Sequence, residues 1–233
     1  IFPLEMKAAP LLRAWLKRLL NQKVQFHYRH QCLALNGNRL QVKNLLDAQL
    51  SEQPFDAIVL ACGAVSWSQL GSDGAWQRWL AQDEITAFEA SNAGVQRVWS
   101  TFMQPVFGQP LKRVEAWVTD QAKTSGDIVI THYGLESGLV YKQGRALRAQ
   151  AHAGQRMQLH LDLLPDVSVA QLEQKLQPSK KQSLSNVWRK AGLDPAKASL
   201  IRELVAKTLW DQPQALAQQI KDLTITLDSF RPI

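Results

Sequence analysis

Two short segments of the sequence combine residue types that could hold a ligand or move a proton. The first, residues 58–74, is an apolar run that ends on Gly63 and Ala64 and continues into a Gly-Ser-Asp-Gly loop at 71–74. Backbone that approaches a large ligand needs residues without bulk, and such a loop before a helix can present N–H groups to an anion. Taken by itself, an ordinary strand, turn and capped helix explains this segment better than a ligand does.

The second segment, residues 131–138, places His132, Tyr133 and Glu136 beside two glycines. Histidine and glutamate side chains can act as acids or bases, and histidine titrates near neutral pH. The competing interpretation is a structured turn after a strand, in which His132 is hydrogen-bonded to backbone. Residue types and spacing therefore provide candidates here, and no catalytic acid or base is assigned from them.

Hydrophobic periodicity predicts the elements that carry the first segment. Apolar residues at helical spacing predict a helix over 8–21, and alternation around the turn at 36–38 predicts a hairpin over 24–43. The continuous apolar run within 55–62 predicts a buried, parallel strand. A short helix is expected over 75–81.

The character of the chain changes near residue 84. Short β-rich runs, at 114–118, 127–131, 139–141 and 157–163, are punctuated by Gly and Pro and predict a small antiparallel sheet or barrel. Residues 144–153 fit either a helix or a strand. Helical periods follow at 169–176, 184–191, 196–209 and 214–221, with Ser168, Ser183, Asp194 and Pro213 at their starts, and 223–227 alternates as one more strand.

Composition narrows the classes of function. The net charge is +7, but the basic residues of 1–31 interleave with apolar residues as in an amphipathic surface helix, which disfavours a nucleic-acid site. No apolar run approaches the ~20 residues that cross a bilayer. Two cysteines without CxxC spacing, and no signal peptide, favour the cytoplasm. Neither a metal site nor an oligomeric state is indicated.

Several segments, taken in order, resemble the BaiN/YhiN-like flavoproteins, a family of bacterial NAD(P)/FAD-dependent oxidoreductases. They are IFPLEMKAAPLL at 1–12, IVLACGAVSW at 58–67, LGSDGAW at 70–76, PLK at 110–112, GDIVITHYGLESG at 126–138 and FRPI at 230–233. Each motif alone is modestly specific, but their shared order is much more so.

The resemblance implies a mixed α and β fold: a partial Rossmann-like FAD-binding domain interrupted by an inserted β-barrel-like and helical domain. Residues 1–82 would belong to the FAD domain, 84–222 to the insert (β-rich over 84–165, helical over 166–222), and 223–233 to the return toward the FAD domain. The cofactor-binding residues it implies are Phe2, Pro3, Cys62, Gly63, Ala64, Ser66, Trp67, Gly71, Ser72, Asp73 and Gly74. His132, Tyr133 and Glu136 would lie on the substrate side.

The implied function is part of an FAD-dependent oxidoreductase that transfers hydride from NAD(P)H through flavin to a small-molecule acceptor. The sequence departs from the family in two respects: it contains no GxGxxG segment for the pyrophosphate, and the usual Gly-Gly pair reads Gly63-Ala64. It therefore looks like a middle portion that lacks the first and last flavin segments, and we expect this chain alone to be inactive. The alternative is a non-catalytic fragment that serves as a binding or structural module.

Overall fold

The structure, a computed structural model, describes residues 4–65, 67–177 and 182–232. The chain divides into two compact units with the boundary between Phe88 and Glu89, here called unit 1 and unit 2. The buried hydrophobic core of the described residues lies between Val95 and Leu227 and thus belongs to unit 2.

Unit 1 begins with helix α1, Ala8–Asn21, as the periodicity predicts. Pro10 lies in its first turn, where the missing N–H costs no hydrogen bond. None of its residues is buried, and Leu11, Leu12 and Trp15 are more than half exposed. Within unit 1 its apolar stripe therefore contributes little burial to the fold.

A three-stranded antiparallel sheet follows, formed by β1 (His30–Asn36), β2 (Arg39–Asn44) and β3 (Leu50–Pro54) in that order. The hairpin is confirmed from His30 onward, with Gly37 at φ +61° in its turn. The structure also resolves residues 45–53, which the sequence leaves between loop and strand, into a turn and β3.

The buried parallel strand predicted within 55–62 is wrong. Residues 57–62 have no strand pairing, and Val59 is 87% exposed. A continuous apolar run becomes a buried strand only when neighbouring strands accept its hydrogen bonds and helices cover its faces. No described residue of unit 1 supplies those neighbours. Beyond this segment, unit 1 contains short 3-10 turns at Ser68–Leu70, Ala75–Trp79 and Gln82–Glu84.

Unit 2 is built on an antiparallel sheet with the strand order β10-β4-β7-β6-β5-β8-β9. Its strands are β4 (Val95–Gln96), β5 (Pro110–Trp117), β6 (Thr124–Thr131), β7 (Gly134–Glu136), β8 (Met157–Asp162), β9 (Leu223–Leu227) and β10 (Ser229–Phe230). Alternate residues of β8 and β9 are buried, because successive side chains point to opposite faces of a sheet. The predicted β-rich character of this part, and the mixed α and β fold class, are confirmed.

In the described part of unit 2, five α-helices accompany this sheet: α2 (Gly138–His152), α3 (Val169–Lys175), α4 (Leu184–Ala191), α5 (Pro195–Leu204) and α6 (Pro213–Lys221). Helix α2 settles the open choice at 144–153. It also overturns the β-strand expected at 139–141, which forms the first turn of α2. Three apolar residues in a row are compatible with a strand or a helix. Here they form a helix, which buries Leu139, Val140 and Leu147.

Local signals place the ends of the later helices. Ser168 Oγ accepts the backbone N–H of Gln171 at 3.2 Å, and the Gln171 side chain accepts the N–H of Ser168, which together form a capping box. The Ser183 side chain accepts the backbone N–H of Asn186 as the N-cap of α4, and Gly192, at φ +110°, ends this helix. Helix α5 stops at Leu204 rather than 209, since the chain turns extended at Val205.

Strand β9 lies inside the sheet of unit 2, where it pairs with β8 from Leu223 to Leu227. The family resemblance predicts that 223–233 return toward a flavin domain; in the structure, the first part of this segment pairs within the sheet of unit 2. Among the helices that the structure describes, none combines the length and the apolar character needed to cross a bilayer.

Candidate functional site

The loop after residue 62 brings two parts of the first candidate segment together. Gly63 has φ +75°, and its carbonyl oxygen accepts the indole N–H of Trp76 at 2.9 Å. The Ser72 hydroxyl donates to the carbonyl oxygen of Ala64. These contacts fasten residues 63–64 to the Gly-Ser-Asp-Gly loop, as the sequence order suggests.

Two glycines of this loop adopt the left-handed backbone conformation that its turns require. Gly71, at φ +89°, ends the turn Ser68–Leu70, and Gly74, at φ +73°, precedes the turn Ala75–Trp79. Asp73 Oδ1 accepts the N–H of Ala75 at 2.9 Å, which forms an Asx turn before the turn Ala75–Trp79. A left-handed backbone at both glycines explains their presence without a ligand.

Three of the implied cofactor residues, Phe2, Pro3 and Ser66, lie outside the described residues. Cys62 is an exposed free cysteine, and Trp67 is 63% exposed. Accessibility at these two side chains is compatible with a ligand, but the loop contacts do not draw them into a common pocket.

Gly63 provides a test of whether this loop fits FAD. A Cβ at Gly63 would lie 2.6 Å from Ser72 Oγ, so the space beside it is occupied by the chain's own side chain. In a dinucleotide fold, such a glycine instead leaves room for the backbone to approach the cofactor. In its described part, the loop therefore does not by itself form a cradle for FAD.

The second candidate segment forms the tight turn between β6 and β7. The Tyr133 hydroxyl donates to Oε2 of Glu136, and both side chains are partly buried. The structure thus joins two of the three predicted residues by a direct hydrogen bond. The turn depends on Gly134, whose φ is +146° and whose added Cβ would meet the carbonyl oxygen of Val95 at 2.0 Å.

His132 is exposed, and its ring meets that of Tyr133 edge-on with centroids 5.1 Å apart. Among the described residues, no partner hydrogen-bonds to its ring. The expected structural role, a histidine hydrogen-bonded to backbone, is therefore not what the turn shows.

Arg231 completes this cluster from the far end of the chain. Its guanidinium carbon lies 4.4 Å from the centroid of the Tyr133 ring, close enough for a cation–π contact. Its backbone N–H donates to the carbonyl oxygen of Gly94 at 2.8 Å, which anchors the segment after β10. The residue stands in the FRPI motif, but its part in this cluster could not be read from sequence.

The two residues that flank β4, Gly94 and Arg97, also lie against Tyr133. The N–H of Arg97 donates to the Tyr133 carbonyl oxygen at 2.8 Å, and a Cβ at Gly94 would lie 3.0 Å from the tyrosine ring. Gly94 is thus a second residue that the sequence analysis missed. Its signal was weak, because a single glycine before a two-residue strand has many explanations.

The electrostatics of the cluster keep the phenol protonated. Burial and the neighbouring Glu136 carboxylate raise the pKa of Tyr133 above its usual range, and Arg231 opposes them. A phenol with a raised pKa holds its proton at neutral pH, and a nearby guanidinium reduces the cost of giving it up. The arrangement can therefore bind a polar group at Tyr133 Oη, and a group that replaces Glu136 as the acceptor of this hydroxyl would receive its proton.

One family model and one known reductase are similar to this chain. The family model described as the HI0933-like protein barrel and H2TH domain matches residues 89–233. The chain is also similar to a 3-dehydro-bile acid delta(4,6)-reductase of Clostridium scindens, with 26% identity over 178 residues. That match covers 74% of this chain and 42% of the reductase, so the chain spans less than half the length of this relative.

Proposed function

The chain belongs to the HI0933-like family, the BaiN/YhiN-like flavoproteins, and on this premise we propose that it is part of an FAD-dependent oxidoreductase. The observation that carries the proposal is the family match over the whole of 89–233. The reductase relative supports the same class of reaction. The resemblance stated from sequence is confirmed at the level of the family.

Within this proposal, residues 1–82 belong to an FAD-binding domain, 84–222 form the insert on the substrate side, and 223–233 lead back toward the flavin. FAD, when bound to the whole protein, supplies hydride transfer, and NAD(P)H is the proposed donor. In the loop at 63–74, the side chain of Ser72 occupies the space beside Gly63. We therefore assign the chemical role of this chain to residues of unit 2.

We assign Tyr133 the role of a proton donor to a small-molecule substrate. Its hydroxyl donates to Glu136 in the structure, and a bound substrate would replace that acceptor and receive the proton. Arg231, beside the ring, would stabilise the phenolate that remains. Reduction of a polarised double bond consumes a proton as well as a hydride, and Oη of Tyr133 can hold that proton. His132, exposed beside the ring, is placed to contact the substrate.

We further propose the cytoplasm as the site of action, since Cys32 and Cys62 are free and exposed, as suits a reducing compartment.

Flavin content tests the assignment directly. The protein expressed from its complete gene and the 233-residue chain are each purified, and absorbance is recorded from about 300 to 550 nm. Flavin bands in the product of the complete gene support the proposal. Their absence, even after FAD is added, contradicts it. Bands in the 233-residue chain would show that the loop at 63–74 reshapes around the cofactor.

The role of Tyr133 is tested by Tyr133→Phe in the flavin-loaded protein, with the 3-dehydro-bile acid of the relative as the first substrate. Loss of a positioned acid lowers kcat by about a hundredfold or more. Tyr141→Phe, which changes a partly buried tyrosine in α2, is the matched control and should leave kcat unchanged. An unchanged kcat in Tyr133→Phe would remove this residue from the reaction.

One observation favours a second candidate, a non-catalytic module derived from the flavoprotein. The predicted cofactor loop closes on itself through Ser72 and Trp76, so it needs no ligand to hold its shape. This candidate predicts a melting temperature that FAD does not raise, because only a ligand that binds the folded state stabilises it. A rise in the melting temperature with FAD concentration would exclude it.

A further inference from the structure

A cavity of about 470 Å³ lies in unit 2, away from the Tyr133 cluster. Its walls come from the first half of β5, the loop at 164–167, and helices α3, α4 and α5. The PLK motif at 110–112, which the proposed function does not use, contributes Lys112 to this wall.

A β-bulge directs two basic residues toward the cavity. The register of β5 against β6 shifts between Leu111 and Val114, and Arg113 has φ +51°, in the left-handed region. The N–H of Arg113 donates to Oδ1 of Asp127 at 2.8 Å, which holds the bulge in place. A bulge of this kind re-aims side chains that a regular strand would send elsewhere. Lys112 and Arg113 both line the cavity.

Lys197 is a largely buried basic residue that lines the cavity. It stands in the first turn of α5, where its backbone N–H donates to Oδ1 of Asp194 at 2.9 Å. Only 5% of the residue is exposed, and it lines the cavity. In the part of the chain that the structure describes, its ammonium has neither a hydrogen-bond acceptor nor a carboxylate within 4 Å. A lysine that is largely buried and has no partner for its ammonium has lost part of its hydration without compensation, so an anion that enters the cavity would be bound favourably.

The charges around the cavity favour an anion with more than one negative charge. Five basic residues line it, against two acidic ones: Lys112, Arg113, Lys175, Lys190 and Lys197, with Asp166 and Asp194. Asp194 already accepts a backbone N–H, as the cap of α5. The remaining excess of positive charge exceeds what a single carboxylate would neutralise.

One wall of the cavity is held rigidly. The ammonium of Lys221 donates to the carbonyl oxygens of Leu164 and Val167, each at 2.8 Å, and pairs with Asp162 at 2.7 Å. These contacts fix the loop at 164–167 before any ligand binds. A preformed site loses less entropy on binding than a flexible one does.

From the cavity, its charge and the buried unpaired lysine, we propose that unit 2 binds a small phosphate-bearing anion at Lys197. Lysine is a common partner of phosphate, which spreads about two charges over its oxygens. The volume exceeds that of orthophosphate, which favours pyrophosphate or a phosphate ester. This proposal goes beyond the oxidoreductase assignment and does not depend on it.

Calorimetric titration of the 233-residue chain with sodium pyrophosphate tests the proposal, at constant ionic strength. We expect saturable binding with one site per chain. Lys197→Met keeps the shape of the buried side chain and removes its charge, so it should weaken binding about tenfold or more. The control is Lys207→Met, which removes the same charge from an exposed lysine outside the cavity and should leave the affinity unchanged. Equal losses in the two variants, or no saturable binding to the unaltered chain, would overturn the proposal.

A second variant and a pH series guard against a folding artefact. Lys190→Gln, at an exposed position of the cavity wall, should weaken binding without touching the core.

Burial and Arg113 lower the pKa of Lys197, whereas Asp194, Asp162 and Asp127 oppose them. The other charged groups that line the cavity are Lys112, Lys175, Lys190 and Asp166. Because the anion favours the charged amine, affinity should fall as pH rises through the lowered pKa. In Lys197→Met this fall should disappear; its persistence would assign the site to other groups.

Discussion

Replacing Gly134 by alanine tests the packing that positions Tyr133. The added Cβ would lie 2.0 Å from the Val95 carbonyl oxygen in β4 and 2.8 Å from the backbone nitrogen of Arg97, the residue that follows β4. Backbone atoms in a paired strand cannot rotate away, so β4 and β7 must separate. The residue also has φ +146°, a conformation that side chains disfavour.

The magnitude follows from these two costs. A left-handed or related backbone conformation at a residue other than glycine costs about 1–3 kcal/mol. Separation of the strands loses one or two inter-strand hydrogen bonds, at about 1 kcal/mol each. The expected loss in the free energy of unfolding is therefore about 2–5 kcal/mol, which lowers the Tm by roughly 10 °C.

Urea and thermal unfolding, followed by far-UV circular dichroism, measure this loss. The matched control is Gly138→Ala, since a Cβ at Gly138 would meet no atom within 4 Å. That variant should unfold within about 0.5 kcal/mol of the unaltered protein. If Gly134→Ala is as stable as Gly138→Ala, the close approach of β4 to Gly134 is wrong, and with it the placement of Tyr133.

Further predictions concern buried charge, a helix cap and the phenol. Lys221→Met leaves the buried Asp162 carboxylate without its cation and should reduce the free energy of unfolding by about 3–5 kcal/mol in urea titrations, whereas Lys207→Met should have no effect. Ser168→Ala removes the capping hydroxyl of α3 and should cost about 1 kcal/mol in the same assay. In a spectrophotometric alkaline titration, Tyr133 should ionise above the usual tyrosine pKa of about 10, and Tyr133→Phe should abolish that late step. The stability gained from its raised pKa is present at neutral pH and lost as pH rises through that pKa, so Tyr133→Phe should also flatten the fall in stability at high pH.

The helices of unit 2 were predictable because their ends are defined by local chemistry. Ser168, Ser183 and Asp194 each accept a backbone N–H three residues on, as an N-cap does. Gly192 ends α4 with the left-handed backbone that glycine tolerates. Such signals act within one turn, so a single sequence contains all the information they need.

The strand expected within 55–62 and the strand expected at 139–141 failed for a related reason. An apolar run indicates that its residues are more stable when buried, but it does not identify the elements that will cover them. Leu139 and Val140 are buried in unit 2 as part of helix α2, so this run forms a helix and not a strand. Around Val59 the described residues of unit 1 offer no partner, and the run stays open.

The candidate site shows the same division. The sequence placed Tyr133 and Glu136 on one turn, and the structure joins them by a hydrogen bond. Arg231 and Gly94 lie far from that turn in the chain, and only the pairing of β10 with β4 and of β4 with β7 brings them to it. No local pattern encodes such a pairing.

By itself, then, the sequence determined the capped helices, the hairpin at Gly37, the β-rich character of 84–163 and the family to which the chain belongs. Tertiary structure alone decided that Arg231 faces Tyr133, that Lys197 and Arg113 line one cavity, and that the apolar run around Val59 is not a strand. The physical reason is range: caps and turns depend on neighbours along the chain, whereas burial and charge clusters depend on neighbours in space.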